Sequence, residues 1–279
     1  MSTDYEIQQV IDNAGHVRRL GTLIAPPGLK SSFPTYEASQ KMLTAAEIED
    51  VARSGKISGK SRFPEDDWIK NQFDKGACNG WASAMSLARA RVLRGLKRVD
   101  LSGAYAYSRM NGGRDNGSIL EDGMKNMQVY GVAPFDMVRW DQIYRNQYDT
   151  AKADAEAARY KGFECFAAGT KEGWYSGLAM GYVGVCAVHV GNDFMRMSGE
   201  QIAGVDNGPG NHAVLAEGLS WRGQVVEDGV NSWGLTYGDR GRMGLVWAHH
   251  AQTFGYHMHY LIKAGIDDPQ GEEPPVIKL

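Results

Sequence analysis

Cysteine is scarce in this chain: there are three among 279 residues, at positions 78, 165 and 186. A small, odd and widely spaced set excludes a disulfide framework and a zinc cluster. A reducing compartment is the expectation. Cys165 and Cys186 lie in apolar, strand-like runs (162–166 and 183–188) and read as buried core. Long apolar runs are also missing. None approaches the roughly 18 residues that would suggest a membrane span. Charge of one sign is not in excess. The formal net charge is −3, which gives no reason to expect a nucleic acid or other polyanion as partner. Arg89, Arg91, Arg94, Lys97 and Arg98 read as the solvated face and C-terminal end of one helix. Residues 1–6 contain no basic segment leading into an apolar core, so no secretory leader is expected. The localisation these features favour is cytoplasmic or virion-associated.

What is present is ordinary for a folded chain: 43% hydrophobic and 23% charged residues, enough for one large domain or two lobes with real cores. Glycine is abundant, at 35 residues, and implies many turns and close backbone contacts.

The stretch 71–81, Asn-Gln-Phe-Asp-Lys-Gly-Ala-Cys-Asn-Gly-Trp, places Cys78 just after a turn and just before a predicted helix over 81–93. Trp81, Met85, Ala88 and Val92 repeat with the rhythm of one buried helix face. Cys78 then sits at a helix start, where unpaired N–H groups and the helix dipole favour an anion such as a thiolate. Gln72, six residues upstream, brings an amide donor. A nucleophile beside a donor is the beginning of an acyl-transfer site. A lone cysteine at a helix start is more often packing than chemistry.

Residues 1–60 differ from the rest and read as an N-terminal extension that packs on the main domain or on a partner. They hold a predicted helix over 45–53 with a Thr44/Glu47 capping box. Further helices are expected at 119–130, with Ser118 and Glu121 as a second capping box and Gly131 as its end, at 149–160 and at 171–180. Strands are expected at 163–168, 183–190, 212–217, 225–230, 244–247 and 256–262. Helices dominate the front half and strands the back half, an α+β pattern. The segment 267–279 lacks periodicity and is expected to be a flexible tail.

Two later stretches complete a constellation. His212 follows a glycine- and proline-rich turn at 208–211 and opens a strand. Nineteen residues on comes Asn231-Ser232-Trp233-Gly234, then Tyr237-Gly238-Asp239-Arg240-Gly241. A general base must reach the nucleophile, and a third group must fix its ring. Neighbouring antiparallel strands can bring His212 beside Asn231, with Trp233 covering the bond. Taken singly, His212 and Trp233 also read as core and Asn231-Ser232 as a turn.

The order Gln72, Cys78, Asn211-His212-Ala213 and Asn231-Ser232-Trp233-Gly234 resembles the papain-like cysteine peptidase family over residues 62–262. The segments 101–118 and 130–132 are similar to its bacterial and phage branch. The resemblance implies an α+β, two-lobed fold, with a helical N-terminal lobe, an antiparallel β-barrel-like C-terminal lobe and a cleft between them. The peptidase domain would span 61–266. It implies Cys78 as nucleophile paired with protonated His212, Asn231 as orienter, and Gln72 with the Cys78 N–H as oxyanion hole. Gly117, Ser118, Ala213 and Trp233 would line the substrate site. No cofactor is implied. The sequence departs from the family at Asn79, where a tryptophan is usual, and in lacking the long inhibitory propeptide.

The histidines at 249, 250, 257 and 259 suggest metal at first glance, but no acidic residue or cysteine joins them nearby, and packing is the expectation. The function expected is hydrolysis of peptide bonds in a peptide or protein substrate. Two alternatives carry the same fold: a structural or binding protein, such as a phage virion component that docks through residues 1–60, and a thiol amidase acting on a non-protein substrate.

Overall fold

The computed structural model describes residues 8–23, 30–161, 163–205, 210–250 and 258–264. The expected tail at 267–279, most of the turn before His212, His257 and the start of the last expected strand lie outside these residues.

The chain begins with a hairpin, β1 (Gln8–Ile11) and β2 (Val17–Leu20), followed by the short β3 (Thr22–Leu23). Three helices follow: α1 (Tyr36–Ser39), α2 (Ala45–Arg53) and α3 (Gly59–Arg62). The capping box on α2 is present, with the Thr44 hydroxyl accepting from the Glu47 N–H and the Glu47 carboxylate accepting from the Thr44 N–H. The helical lobe is built on α4 (Cys78–Leu93), α5 (Gly103–Ser108), β4 (Ser118–Ile119), α6 (Leu120–Tyr130) and α7 (Thr150–Ala157). The back half supplies β5 (Phe163–Ala167), α8 (Lys171–Ala179), β6 (Val183–Val190), α9 (Asn192–Met195), β7 (Gly210–Trp221), β8 (Val225–Val230), β9 (Arg242–Leu245) and β10 (His259–Ala264).

Among the described residues the sheet lobe is one antiparallel sheet of order β5-β10-β6-β7-β8-β9. The antiparallel sheet lobe is as expected, and among the described residues it is not closed on itself. Side chains alternate across it, as strand pleating requires. Val183, Val185, Ala187, Ala213 and Leu215 face the core shared with α4. Cys186, Val188, Val190, Val214 and Ala216 face a second core with Tyr36, Ile48, Trp174 and Trp233. Residues of the N-terminal 60 thus belong to the second core.

Helix α4 is buried on nearly all sides, rather than on the single face its apolar rhythm suggested. Its small residues at 80, 82, 84 and 88 admit close neighbours. An added Cβ at Gly80 would meet the α5 backbone, and one at Gly103 would meet the Trp81 ring. This burial corrects the reading of its arginines. Arg89 is fully buried and Arg91 nearly so. Arg89 donates to Glu217 on β7 (2.6 Å), and Arg242 on β9 donates to the other oxygen of the same carboxylate (3.1 Å). The rings of Phe63 and Trp68 cover the Arg89 guanidinium. The ion pairs therefore join the helical lobe to the sheet.

The second expected capping box is absent. Ser118 lies in β4, and Ile119 caps α6 without a side-chain bond. Glu121 accepts instead from the Ser32 N–H and hydroxyl and from the Tyr260 hydroxyl. Gly131, at a positive φ of 76°, ends the helix. The buried histidines 250 and 259 bond to each other, and His250 bonds to Glu227. Among the described residues no three acidic, His or Cys side chains are grouped as metal ligands, and no helix is long and apolar enough to cross a membrane.

Candidate active site

Cys78 is the first residue of α4, and no side chain caps the helix before it. The Asn79 backbone of the first turn bonds to the sulfur, at the positive end of the helix dipole. The thiol is fully buried. Burial pushes its pKa up, against the opposing pull of the Thr22 hydroxyl and the backbone of Ala213, Gly21 and Asn79.

His212 lies on β7, next to the Ala213 backbone that touches the sulfur. Asn231 directly follows β8, the strand paired with β7. Their side chains meet at 2.8 Å, His212 Nε2 to Asn231 Oδ1. A carbonyl oxygen only accepts, so Nε2 carries the proton and Nδ1 keeps its lone pair. Nδ1 has no hydrogen-bond partner among the described residues. The Trp233 ring lies 5.0 Å from the imidazole and is itself fully buried. Burial pulls the His212 pKa down to about 4; Asn231 opposes this, and the nearby Arg18 charge adds to it. In the covered site both directions favour neutral thiol and neutral imidazole over the expected ion pair.

Gln72 is also fully buried. The Ser232 hydroxyl donates to its Oε1 at 2.6 Å, and the Gln72 N–H donates to the Ser232 carbonyl at 2.7 Å. This fixes the amide so that Nε2, the donor, is turned away from Ser232. Nε2 donates to the carbonyls of Lys75 (2.7 Å) and Arg19 (3.1 Å). Sequence reasoning quoted Ser232 only as part of a motif, because its effect on Gln72 crosses 160 residues.

Residues 17–23 form a strap over this site, which sequence reasoning missed. The Thr22 hydroxyl lies 3.1 Å from the Cys78 sulfur. Thr22 and Leu23 pair in parallel with Ser118 and Ile119. Gly21 passes so close to Gly76 that a Cβ there would come within 1.8 Å of the Gly76 carbonyl oxygen. Nearly buried, Arg18 donates to Asp12 (2.8 Å), to Asn71 Oδ1 (2.9 Å) and to the Trp233 carbonyl (3.0 Å). Arg19 reaches Asp115 at 3.0 Å. Nothing local marks 17–23, since every partner outside the hairpin is about 50 or more residues distant in sequence.

The remaining predicted residues fall around the strap. Gly117 gives its N–H to the Tyr107 hydroxyl (2.9 Å), while the Ser118 N–H meets the Gly21 carbonyl (2.8 Å). Ser118, rather than Gly117, is thus the backbone donor that faces the strap. Asn79, the departure from the usual tryptophan, donates to the Ser118 hydroxyl and the Ile119 carbonyl. It ties the start of α4 to β4.

No protein-family model and no curated protein matches the sequence. Solved structures are similar to it in fold. The cysteine protease xylellain from Xylella fastidiosa superposes with a TM-score of 0.66 at 18% identity, covering 88% of this chain and 97% of the other. Procathepsin L 3 from Tenebrio molitor larval midgut gives 0.63 at 14%, covering 94% and 83%. Procathepsin B from Trypanosoma congolense gives 0.57 at 18%, covering 88% and 85%. The fold is that of the papain-like cysteine proteases.

Proposed function

We propose that the chain is a cysteine peptidase held closed by its own strap. The observation that carries this reading is the His212–Asn231 bond, which leaves Nδ1 as the open base on the strand touching Cys78. In the opened site Cys78 Sγ attacks the substrate carbonyl carbon and its proton passes to His212 Nδ1. Gln72 Nε2 and the Cys78 N–H receive the oxyanion. His212 then protonates the leaving amine, and an acyl-enzyme remains. Water, deprotonated by His212, hydrolyses the thioester and regenerates the thiol. The Arg19 carbonyl on Gln72 Nε2 supports the oxyanion role, because a peptide oxygen already occupies that donor.

Opening the strap returns water to the sulfur and the ring and removes the Arg18 charge that disfavours imidazolium. The return of water favours both charged forms and the loss of the Arg18 charge favours the imidazolium, whereas loss of the Thr22 and Gly21 contacts works against the thiolate. The full chain with Arg18→Ala should hydrolyse peptide amides, and adding Cys78→Ala should abolish turnover with the fold intact. Equal turnover in the cysteine variant would overturn the assignment.

The complete burial of Cys78 and His212 favours a second reading, a papain-fold binding or structural protein whose strap never leaves. Absence of thiol labelling in every strap variant would select it.

A further inference from the structure

We propose that Asp115 selects a basic side chain, arginine above lysine, on the substrate residue that supplies the scissile carbonyl. This rests on the peptidase reading given above. Arg19 of the strap carries the argument. Its carbonyl oxygen sits on Gln72 Nε2 at 3.1 Å, and its own guanidinium reaches Asp115 Oδ2 at 3.0 Å. A residue whose carbonyl takes the Gln72 donor therefore has its side chain within reach of Asp115.

Asp115 is built into the nucleophile's surroundings. Its Oδ1 accepts the Gly76 N–H at 2.9 Å, two residues before Cys78, and the Tyr107 hydroxyl at 2.9 Å. Tyr107 is fully buried and also receives the Gly117 N–H. One carboxylate oxygen is thus committed to the loops that frame the site, and the other is held facing the strap. Its side chain is only 9% exposed. A carboxylate so covered and so fixed favours a cationic partner with a planar donor fork.

The neighbouring arginine shows by contrast where the selection lies. Arg18 meets only neutral groups of the main domain, Asn71 Oδ1 and the Trp233 carbonyl, and the turn of the β1–β2 hairpin supplies its carboxylate, Asp12. Arg19 instead uses a carboxylate of the cleft itself. When the hairpin leaves together with the strap, Asp12 leaves with it and Asp115 stays. The seat near Trp233 is then neutral, and the seat beside Gly76 is acidic.

The test separates binding from turnover. In the full chain carrying Cys78→Ala, Arg18→Ala and Arg19→Ala, both arginine side-chain anchors of the strap are gone and no cleavage occurs. Two acetylated pentapeptides are compared by calorimetry, alike except for arginine or citrulline at the residue expected to meet Asp115. The arginine peptide should bind roughly 10- to 100-fold more tightly, and Asp115→Asn should reduce that ratio to within about threefold. Asn keeps the acceptor for Gly76 and Tyr107, and a circular dichroism melt shows whether the variant is folded. Equal binding of the two peptides before the Asp115 change, or a ratio unaltered by it, overturns the proposal. Turnover is measured on the same peptides with Cys78 restored. Cleavage of both at equal kcat/KM would sink the Asp115 assignment alone. Arginine-selective binding without any cleavage would sink the peptidase reading and leave the seat standing.

Discussion

The Thr22 hydroxyl lies 3.1 Å from the Cys78 sulfur, so the buried thiol touches its own chain. Iodoacetamide should therefore label Cys78 slowly at pH 7. Arg18→Ala removes three anchoring bonds and leaves Asp12 without its guanidinium. Removing one partner of a buried pair costs about 3–5 kcal/mol, and much of that falls on the closed state. Labelling followed by mass spectrometry should accelerate at least about tenfold. An unchanged rate would mean that the strap does not control access.

Acid should weaken the fold through its buried histidines. The folded pKa of His212 is depressed from 6.5 to about 4, so the unfolded chain binds its proton first. Stability then falls as the pH drops from 6.5 toward 4, by about 3 kcal/mol for this residue. His249 and His259, also depressed by burial, act in the same direction. Urea midpoints between pH 4 and 7 should show a shallower slope in His212→Gln than in the native chain.

Breaking the junction between lobes should be costly. Arg89→Ala leaves Glu217 buried with only Arg242 and the Arg62 contact to its backbone carbonyl. The expected loss is about 3–5 kcal/mol, read as a lower urea midpoint at unchanged m-value. A shift under 1 kcal/mol would show that Arg242 alone satisfies the carboxylate.

Ser232→Ala removes the hydroxyl that orients Gln72. In a chain opened by Arg18→Ala, kcat should fall by roughly tenfold, with KM little changed, if Gln72 is the oxyanion donor proposed above, because such a donor acts in the transition state. A change in KM alone would assign Ser232 to ground-state binding.

Much of this fold follows from local pattern. The apolar run 183–190 and the Thr44/Glu47 spacing each specify their element through neighbours within a few residues. The nucleophile helix is legible for the same reason. Arg89 was misread because local charge suggests solvent, whereas its partner lies 128 residues away on β7. Ser118 was misread because a cap and a strand pairing compete for the same residue, and the pairing with Thr22 is long-range. The residues of the candidate site were nameable from motif order. The strap was not, since Arg18, Gly21 and Thr22 acquire meaning only against Trp233, Gly76 and Cys78.

Because the strap belongs to the chain it covers, dilution does not release it. A tethered occupant competes at an effective concentration on the order of millimolar, whatever the protein concentration. Any substrate binds only the open fraction, and its apparent affinity is weakened by that fraction. A KM measured on the intact chain would thus describe the strap's equilibrium as much as the cleft's preference. Ratios between substrates cancel the strap and report the cleft alone.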